Sequence, residues 1–401
     1  MKINIKRLMG NLHEIGEIGK TSDGYTRVEF SKEYYEAANK FLEKLKALGL
    51  KAWIDKVGNV IGEKSGKDED LPYIVIGSHL DTVKNGGLYD GVLGVVSALE
   101  CIQTLKDENI ITDHPIRIVG FNAEEGIELG GTFGSIVVFG AKNIENENNL
   151  ENLSSVGITR KDIDDSIWNL DKIKLYLELH IEQGNSLYGE NKNVGIVNGI
   201  VGIVRYRIKI HGESNHGGTT AMSARKDAVK TMSLLINYMY KTADEYKHPF
   251  VFTIGDIDVS PACYNVIPEY TELFVELRDI DNKNIEEFMN KIKNYAEIFE
   301  DTPIKFEKVL EKKPYKLNPE MMKIIENSCK KNNIKYDILS SGAGHDAMCV
   351  PENIPAAMIF VPSVMGISHN INEFTEEKDI ETGTVVMLET ILEADKSKKI
   401  I

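Results

Sequence analysis

Short apolar runs alternate with longer amphipathic segments over the first half of the chain. The runs have the length and the β-branched content of buried strands. They cover residues 73–77, 116–121 and 175–179. Residues 32–48 place apolar side chains at every third or fourth position between Ser31, a suitable N-cap, and Gly49, a suitable stop, and predict a helix. Residues 91–105 predict another helix and residues 51–63 a hairpin. This order of elements predicts an α/β layer architecture.

The middle of the chain has a different order of elements. Residues 204–212 alternate, with Val204, Tyr206, Ile208 and Ile210 on one face, which predicts a half-buried strand. The segments that follow predict a helix, two strands, a helix and a strand. They are residues 223–240, 250–259, 272–277, 284–299 and 304–310. The resulting βαββαβ order is that of a ferredoxin-like unit.

After this block the first pattern returns, with a predicted helix at 319–332, a strand at 356–361 and a helix at 381–394. We therefore predict an α/β domain that is interrupted by an inserted ferredoxin-like domain. The predicted bounds are residues 1–200 and 315–401 for the interrupted domain and residues 201–314 for the inserted one.

Composition and charge narrow the class of partner. The chain has 401 residues and a formal net charge of −15, from 47 Lys and Arg against 62 Asp and Glu, which is the wrong sign for a nucleic-acid binder. We find neither an apolar run that could span a bilayer nor a signal segment. The cysteines, Cys101, Cys263, Cys329 and Cys349, form no CxxC pair, so we expect free thiols in a reducing compartment. A cytoplasmic protein with no nucleic-acid or membrane partner is expected.

Histidines and carboxylates follow four of the predicted strands. They are His79, Asp81 and Asp90, then Glu124 and Glu125, then His180, and finally His369. Loops at the carboxyl ends of strands are where α/β sheets bind ligands. Each residue alone has an ordinary interpretation, as a cap, a core histidine or a solvated acidic turn. Together they form a nitrogen and oxygen donor set for two divalent ions, with one bridging carboxylate and Glu124 left as a general base. The absence of cysteine favours a catalytic over a structural site.

Three further segments carry weaker signals. His345 and Asp346 lie in a glycine-rich loop that could approach a substrate. His216 lies in the inserted domain, where a surface turn is the alternative interpretation. Arg278 ends a predicted strand beside Asp279, either in a structural ion pair or as a binder of a substrate carboxylate.

Five segments closely resemble the hydantoinase/carbamoylase family of amidases within the M20 metallohydrolase superfamily. They are Gly-Ser-His79-Leu-Asp81-Thr-Val with Gly-Gly-Leu-Tyr-Asp90-Gly, Glu124-Glu125-Gly, Glu178-Leu-His180-Ile-Glu-Gln-Gly, Ser341-Gly-Ala-Gly-His-Asp, and Gly366-Ile-Ser-His369-Asn. The resemblance covers nearly the whole chain. A histidine at position 180 is typical of the amidase branch, because peptidase relatives have a carboxylate there. It implies a zinc-peptidase-like catalytic domain with a mixed sheet flanked by helices, and it makes the inserted domain a lid and dimerisation domain.

The resemblance also implies roles for these side chains. One cation would be held by His79, Asp90 and His180, and the other by Asp90, Glu125 and His369, with Asp90 bridging. Glu124 resembles the general base that activates water, and Asp81 the residue that orients His79. The two divalent cations would be Zn²⁺ or Mn²⁺, with Co²⁺ and Ni²⁺ as alternatives. A cis peptide bond between Asp90 and Gly91 is expected as well.

The remaining matches concern the substrate. His216 matches a histidine that comes from the partner subunit and polarises the substrate carbonyl. Asn265 and Arg278 match binders of the substrate carboxylate, and Gln183 and Gly344 match residues that line the pocket. The resemblance therefore implies a homodimer in which His216, Asn265 and Arg278 serve the partner's site, and a small ureido substrate that carries a carboxylate.

The chain departs from the family pattern at Glu128, Gly217 and Ala221, which leaves the substrate open. The segments around Asn265 and Arg278 favour an N-carbamoyl-L-amino acid, which would yield an L-amino acid, ammonia and carbon dioxide. Allantoate is the alternative, because the segment that contains His216 resembles allantoate amidohydrolases. Further alternatives are an aminoacylase or dipeptidase of the same superfamily and a catalytically silent metal-binding scaffold.

Overall fold

A computed structural model describes residues 2–126, 131–140 and 153–397, so Glu128 lies outside the described residues. The chain divides into two units. The first comprises Met1–Asn198 with Leu317–Ile401, and the second comprises Gly199–Lys316. No helix in the described ranges has both the length and the apolar character that crossing a bilayer requires.

Both units contain strands and helices. The strands are β1 (Lys51–Ile54), β2 (Val60–Lys64), β3 (Tyr73–His79), β4 (Ile116–Phe121), β5 (Ile173–Ile181), β6 (Val194–Ile200), β7 (Gly202–His211), β8 (Val251–Ser260), β9 (Tyr270–Asp279), β10 (Ile304–Lys312), β11 (Tyr315–Lys316), β12 (Tyr336–Ser341) and β13 (Ala356–Val361). The α-helices with both ends in the described residues are α1 (Ile5–Gly16), α2 (Lys32–Ala47), α3 (Val92–Asp107), α4 (Phe133–Val138), α5 (Arg160–Ser166), α6 (Ser186–Gly189), α7 (Ala228–Ala243), α8 (Asn282–Ala296), α9 (Pro319–Lys331) and α10 (Glu377–Lys396).

The first unit is built on a mixed sheet with the strand order β1-β2-β4-β3-β5-β13-β6, and β12 pairs with β6. Strands β4, β3, β5 and β13 are parallel neighbours. Strands β1, β2 and β6 pair antiparallel with their neighbours. The predicted α/β class with a mixed sheet is therefore confirmed.

Helix α3 is buried along almost its whole length, as expected for a helix that is apolar on all sides. It approaches β5 very closely, because a Cβ atom on Gly94 would lie 2.1 Å from the carbonyl oxygen of Leu179. No side chain can therefore separate the first turn of α3 from the sheet. This contact holds Asp90, two residues before the helix, close to the carboxyl end of β5.

The second unit has the order β7-α7-β8-β9-α8-β10. Its strands form an antiparallel sheet in the order β10-β7-β9-β8. The four alternating residues of β7 that were predicted to share a face are all buried, and they pack with Leu235 of α7 and Phe288 of α8. Helix α7 begins at Ala228 rather than at residue 223, because the carboxylate of Asp227 caps it.

Candidate active site

The carboxyl ends of parallel strands bring the predicted ligands of the first unit together. His79 is the last residue of β3, and His180 lies one residue before the end of β5. Glu124 and Glu125 lie three and four residues after the end of β4, and His369 lies in the loop after β13. Because these strands are parallel neighbours, their ends meet at one edge of the sheet, where sites in α/β proteins form.

The carboxylate of Asp90 lies at the centre of this cluster. Its Oδ1 atom is 3.1 Å from Nε2 of His180 and 3.5 Å from Nε2 of His79. Its Oδ2 atom is 3.1 Å from Nε2 of His369. Asp90, His79 and His180 are almost completely buried, whereas 46% of the His369 side chain is exposed. The cluster therefore opens to solvent on the side of His369.

The two glutamates lie beside different histidines of the cluster. Oε1 of Glu125 is 3.4 Å from Nε2 of His369, and Oε2 of Glu124 is 3.9 Å from Nε2 of His79. The carboxylate of Asp81 accepts hydrogen bonds from the backbone N–H groups of both glutamates. The ring of His79 contacts the backbone carbonyl oxygen of Asp81 at 3.1 Å, while the Asp81 carboxylate is 3.7 Å away.

The donors fall into compact groups that could hold metal ions. Within each group the donor atoms lie within 4.8 Å of one another, and the groups are His79, Asp90 and His180; Asp90, Glu125 and His369; and His79, Glu124 and Glu125. Imidazole and carboxylate donors suit Zn²⁺ and other first-row divalent ions. Oε1 of Glu125 is buried, and its contact with Nε2 of His369 is long, at 3.4 Å, so this oxygen can bind a cation. The residues present therefore fit a divalent cation.

Burial and charge shift the pKa values of this cluster in opposite directions. Burial opposes ionisation of Asp90, but hydrogen bonds from three imidazoles hold its pKa well below the usual value. Burial raises the pKa of Glu124 well above the usual value, with Glu125 acting in the same direction and His79 against it. Hydrogen bonds to Asp90 and Glu125 raise the pKa of His369 to about 10. One carboxyl group is thus kept ionised while Glu124 favours a proton.

Gly91 leaves room for the ring of His79. Its φ is +65°, and an added Cβ atom would lie 2.3–2.5 Å from three ring atoms of His79. Glycine is required here both by the left-handed backbone and by this close approach. The peptide bond between Asp90 and Gly91 is trans, so the expectation of a cis bond was wrong. The cis bonds of the described chain precede Pro249 and Pro261.

The two predicted pocket residues of the first unit differ in their contacts with the cluster. Nε2 of Gln183 donates a hydrogen bond to Oδ2 of Asp90 at 2.8 Å and lies 3.3 Å from Nε2 of His369. Gly344 is exposed in the loop after β12. Its neighbour His345 packs its ring against His180, with 4.5 Å between the ring centroids.

The second unit contains the other three predicted residues, and it brings two of them together. His216 and Asn265 are exposed on adjacent loops, where the N–H of Gly217 donates to the carbonyl of Asn265 at 2.8 Å. These loops lie beyond the end of the sheet at which β9 begins with Tyr270. Arg278 lies near the other end of β9, about 27 Å away at 3.4 Å per residue, and pairs with Glu276.

The sequence analysis assigned no function to two buried glutamates that lie beside the cluster. Oε1 of Glu373 accepts hydrogen bonds from the backbone N–H groups of Tyr89 and Asp90. Glu178 accepts hydrogen bonds from Ser78 and from the N–H of Ala347. Glu178 lies inside the motif of His180, and Glu373 follows His369 by four residues. That proximity to a predicted ligand is the signal that could have found them.

Comparison with known proteins agrees with this geometry. The model of peptidase family M20/M25/M40 matches residues 75–393. The chain is 36% identical to an N-carbamoyl-L-amino-acid amidohydrolase of Pseudomonas sp., over 97% of this chain and 98% of that protein. It is 32% identical to an allantoate amidohydrolase of Escherichia coli, over 90% of each protein.

A solved structure gives the same result for the fold. The crystal structure of a hydantoinase/carbamoylase family amidase from Burkholderia multivorans superposes with a TM-score of 0.89, at 28% identity and over 99% of both chains. The resemblance found in the sequence motifs is therefore confirmed. The chain belongs to peptidase family M20/M25/M40 and is a hydrolase of that family.

Proposed function

We propose that the protein hydrolyses a C–N bond of a ureido compound that carries a carboxylate, with N-carbamoyl-L-amino acids as substrates. The products are then the L-amino acid, ammonia and carbon dioxide. The observation that carries the proposal is the sharing of Asp90 between two groups of imidazole and carboxylate donors, with Glu124 beside them. The relative that is 36% identical supports the choice of substrate.

Two divalent cations, Zn²⁺ or Mn²⁺ with Co²⁺ or Ni²⁺ as alternatives, would occupy these groups. His79, Asp90 and His180 would hold the first, and Asp90, Glu125 and His369 the second. When bound, such cations lower the pKa of water and polarise a carbonyl group. We call these two groups the first and second cation positions. The first takes two of its three residues from strands, whereas the second takes all three from loops.

Glu124 acts as the general base and then as the general acid. Its carboxylate takes a proton from the attacking water and delivers it to the leaving nitrogen. Burial favours the protonated form that this cycle passes through. Asp81 keeps the backbone of Glu124 in place during both transfers, because it binds the N–H of that residue.

Residues 201–314 form a ferredoxin-like lid and dimerisation domain in this proposal. His216 and Asn265 lie on adjacent loops and together serve the partner's site, where His216 stabilises the developing oxyanion and Asn265 binds the substrate carboxylate. Arg278 of the same subunit is too far from them to contact the same small molecule. The three residues of one subunit therefore cannot all contact a single substrate molecule in the partner's site.

Allantoate is the second candidate substrate. The segment from Gly212 to Thr220 resembles that of allantoate amidohydrolases, and one such enzyme is 32% identical to this chain. Either reaction fits the cytoplasm, whose reducing conditions suit the free thiols of Cys101, Cys263, Cys329 and Cys349.

Ammonia release tests the proposal directly. Enzyme loaded with Mn²⁺ is offered allantoate and a panel of N-carbamoyl-L-amino acids, with N-acetyl amino acids and dipeptides assayed for free amino acid. We expect the highest kcat/KM with an N-carbamoyl-L-amino acid. Preference for allantoate would select the second candidate, cleavage of the acetyl compounds or dipeptides an aminoacylase or dipeptidase, and no hydrolysis at all a silent scaffold.

Mixing two inactive variants tests the exchange of residues between subunits. In a mixed dimer of Glu124→Gln and His216→Ala subunits, one site regains both wild-type residues if His216 serves the partner. We expect activity to return on mixing these two. Mixing Glu124→Gln with Arg278→Ala applies the same test to Arg278, because activity returns only if Arg278 also serves the partner's site. No return of activity from the His216→Ala mixture would overturn the assignment of His216 to the partner's site.

A further inference from the structure

We propose that Glu373 is a positioning residue that fixes Asp90 at the second cation position. This inference rests on the cation positions proposed above. Oε1 of Glu373 accepts a hydrogen bond from the N–H of Asp90 at 3.0 Å and one from the N–H of Tyr89 at 2.8 Å. Glu373 is only 4% exposed, so bulk water does not compete for these hydrogen bonds in the folded protein.

Glu373 also ties together two loops that supply ligands. Oγ of Ser368, the residue before His369, lies 2.9 Å from Oε2 of Glu373 and 3.3 Å from Oδ2 of Asp90. The loop that carries Asp90 packs directly on the Glu373 carboxylate, since a Cβ atom on Gly87 would lie 2.0–2.5 Å from its atoms. One side chain thus sets the distance between Asp90 and His369.

The two cation positions depend on Glu373 to different degrees. His79 and His180 of the first position belong to neighbouring strands that are held by backbone hydrogen bonds of the sheet. Asp90 and His369 of the second position lie on the loops that Glu373 joins. Loss of Glu373 should therefore weaken the second position more than the first.

Calorimetric titration of the metal-stripped, full-length protein with Mn²⁺ tests this inference. For Glu373→Ala we expect a loss of roughly 10–100-fold at the second position, the usual effect of removing a residue that supports metal ligands, and a smaller loss at the first, which shares Asp90. Glu373→Gln should restore most of the affinity, because its amide oxygen can still accept from both N–H groups. If Glu373→Ala does not fold, Glu373→Asp replaces it, since it keeps the charge but withdraws the acceptor.

Asp395 provides a matched control. It is 8% exposed and accepts hydrogen bonds from the N–H groups of Asp113 and His114 at 3.0 and 2.8 Å, but it contacts neither loop of the second position. Asp395→Ala should lower the melting temperature and leave both Mn²⁺ affinities unchanged. Equal and unchanged Mn²⁺ binding by the Glu373 and Asp395 variants would overturn the inference. Absence of Mn²⁺ binding by the wild type would instead overturn the proposed function.

Discussion

The carboxylate of Asp81 accepts a hydrogen bond from the backbone N–H of Glu124 at 3.1 Å through one oxygen, and from Glu125 at 3.0 Å through the other. Asp81 is completely buried, and these two donors explain how its charge is tolerated beneath an acidic pair. The resemblance implied that Asp81 orients His79, and its backbone carbonyl does contact that ring. The carboxylate itself holds the backbone of the proposed base and of a proposed ligand.

Asp81→Asn should therefore lower kcat while changing KM little. An amide has one acceptor oxygen, so one of the two backbone N–H groups loses its partner, at a cost of about 1–3 kcal/mol, and Glu124 shifts. Asp395→Asn makes the same exchange far from the site, and should lower the melting temperature with wild-type kcat. Steady-state kinetics and thermal unfolding of both variants check this. An Asp81→Asn enzyme with normal kcat would show that Glu124 does not depend on Asp81.

Glu124→Gln should keep its cations and lose turnover. The amide is close in shape to the carboxylate, but it cannot take the proton from water, and loss of a general base costs roughly 10²–10⁴-fold in rate. Metal content by elemental analysis and ammonia release by the same sample separate the two effects. Wild-type turnover would exclude Glu124 as the base, and loss of metal would make it a ligand.

The clustering of these histidines and carboxylates could be predicted because it depends on residue type and on position after a strand. His79, Glu124 and His180 each stand at the end of an apolar run, and the parallel order of those runs brings them to one edge. The alternation in β7 likewise predicted its buried face correctly. Patterns of this kind are local in the sequence, so they can be read without knowing which distant segments come into contact.

Contacts between distant segments could not be predicted in the same way. Glu373 and Asp90 are separated by 283 positions, and neither carries a local pattern that pairs them. Arg278 was grouped with Asn265 because both match the family's binders of the substrate carboxylate, and with His216 because all three were expected to serve the partner's site. The register of β9 sets the positions of Arg278 and of the two loops at opposite ends of the sheet.

Helix α1 was missed although Leu8, Leu12 and Ile15 are spaced for one buried face, because Gly10 interrupts the segment.

Gly91→Ala should reduce cation binding at the first position. The added methyl group would overlap the ring of His79, and alanine is strained at a φ of +65°. Gly49 is a control for the backbone strain alone, because its φ is +85° and no neighbouring atom lies within 4 Å of an added Cβ. Gly49→Ala should therefore lower the melting temperature slightly and bind Mn²⁺ normally. Equal Mn²⁺ affinities for the two variants would show that the ring tolerates the methyl group.

Cation binding at neutral pH should release protons, and His369 is one source of them. Its hydrogen bonds to Asp90 and Glu125 raise its pKa to about 10, so the ring is protonated at pH 7. A metal ligand must be neutral imidazole, so the cation has to displace that proton. Apparent affinity should therefore rise as the pH rises from 7 and level off above about pH 10. Calorimetry with Mn²⁺ at pH 7, in buffers of different ionisation enthalpy, counts the protons released. His369→Gln should release one proton fewer than the wild type, and equal release by the two proteins would contradict the assignment.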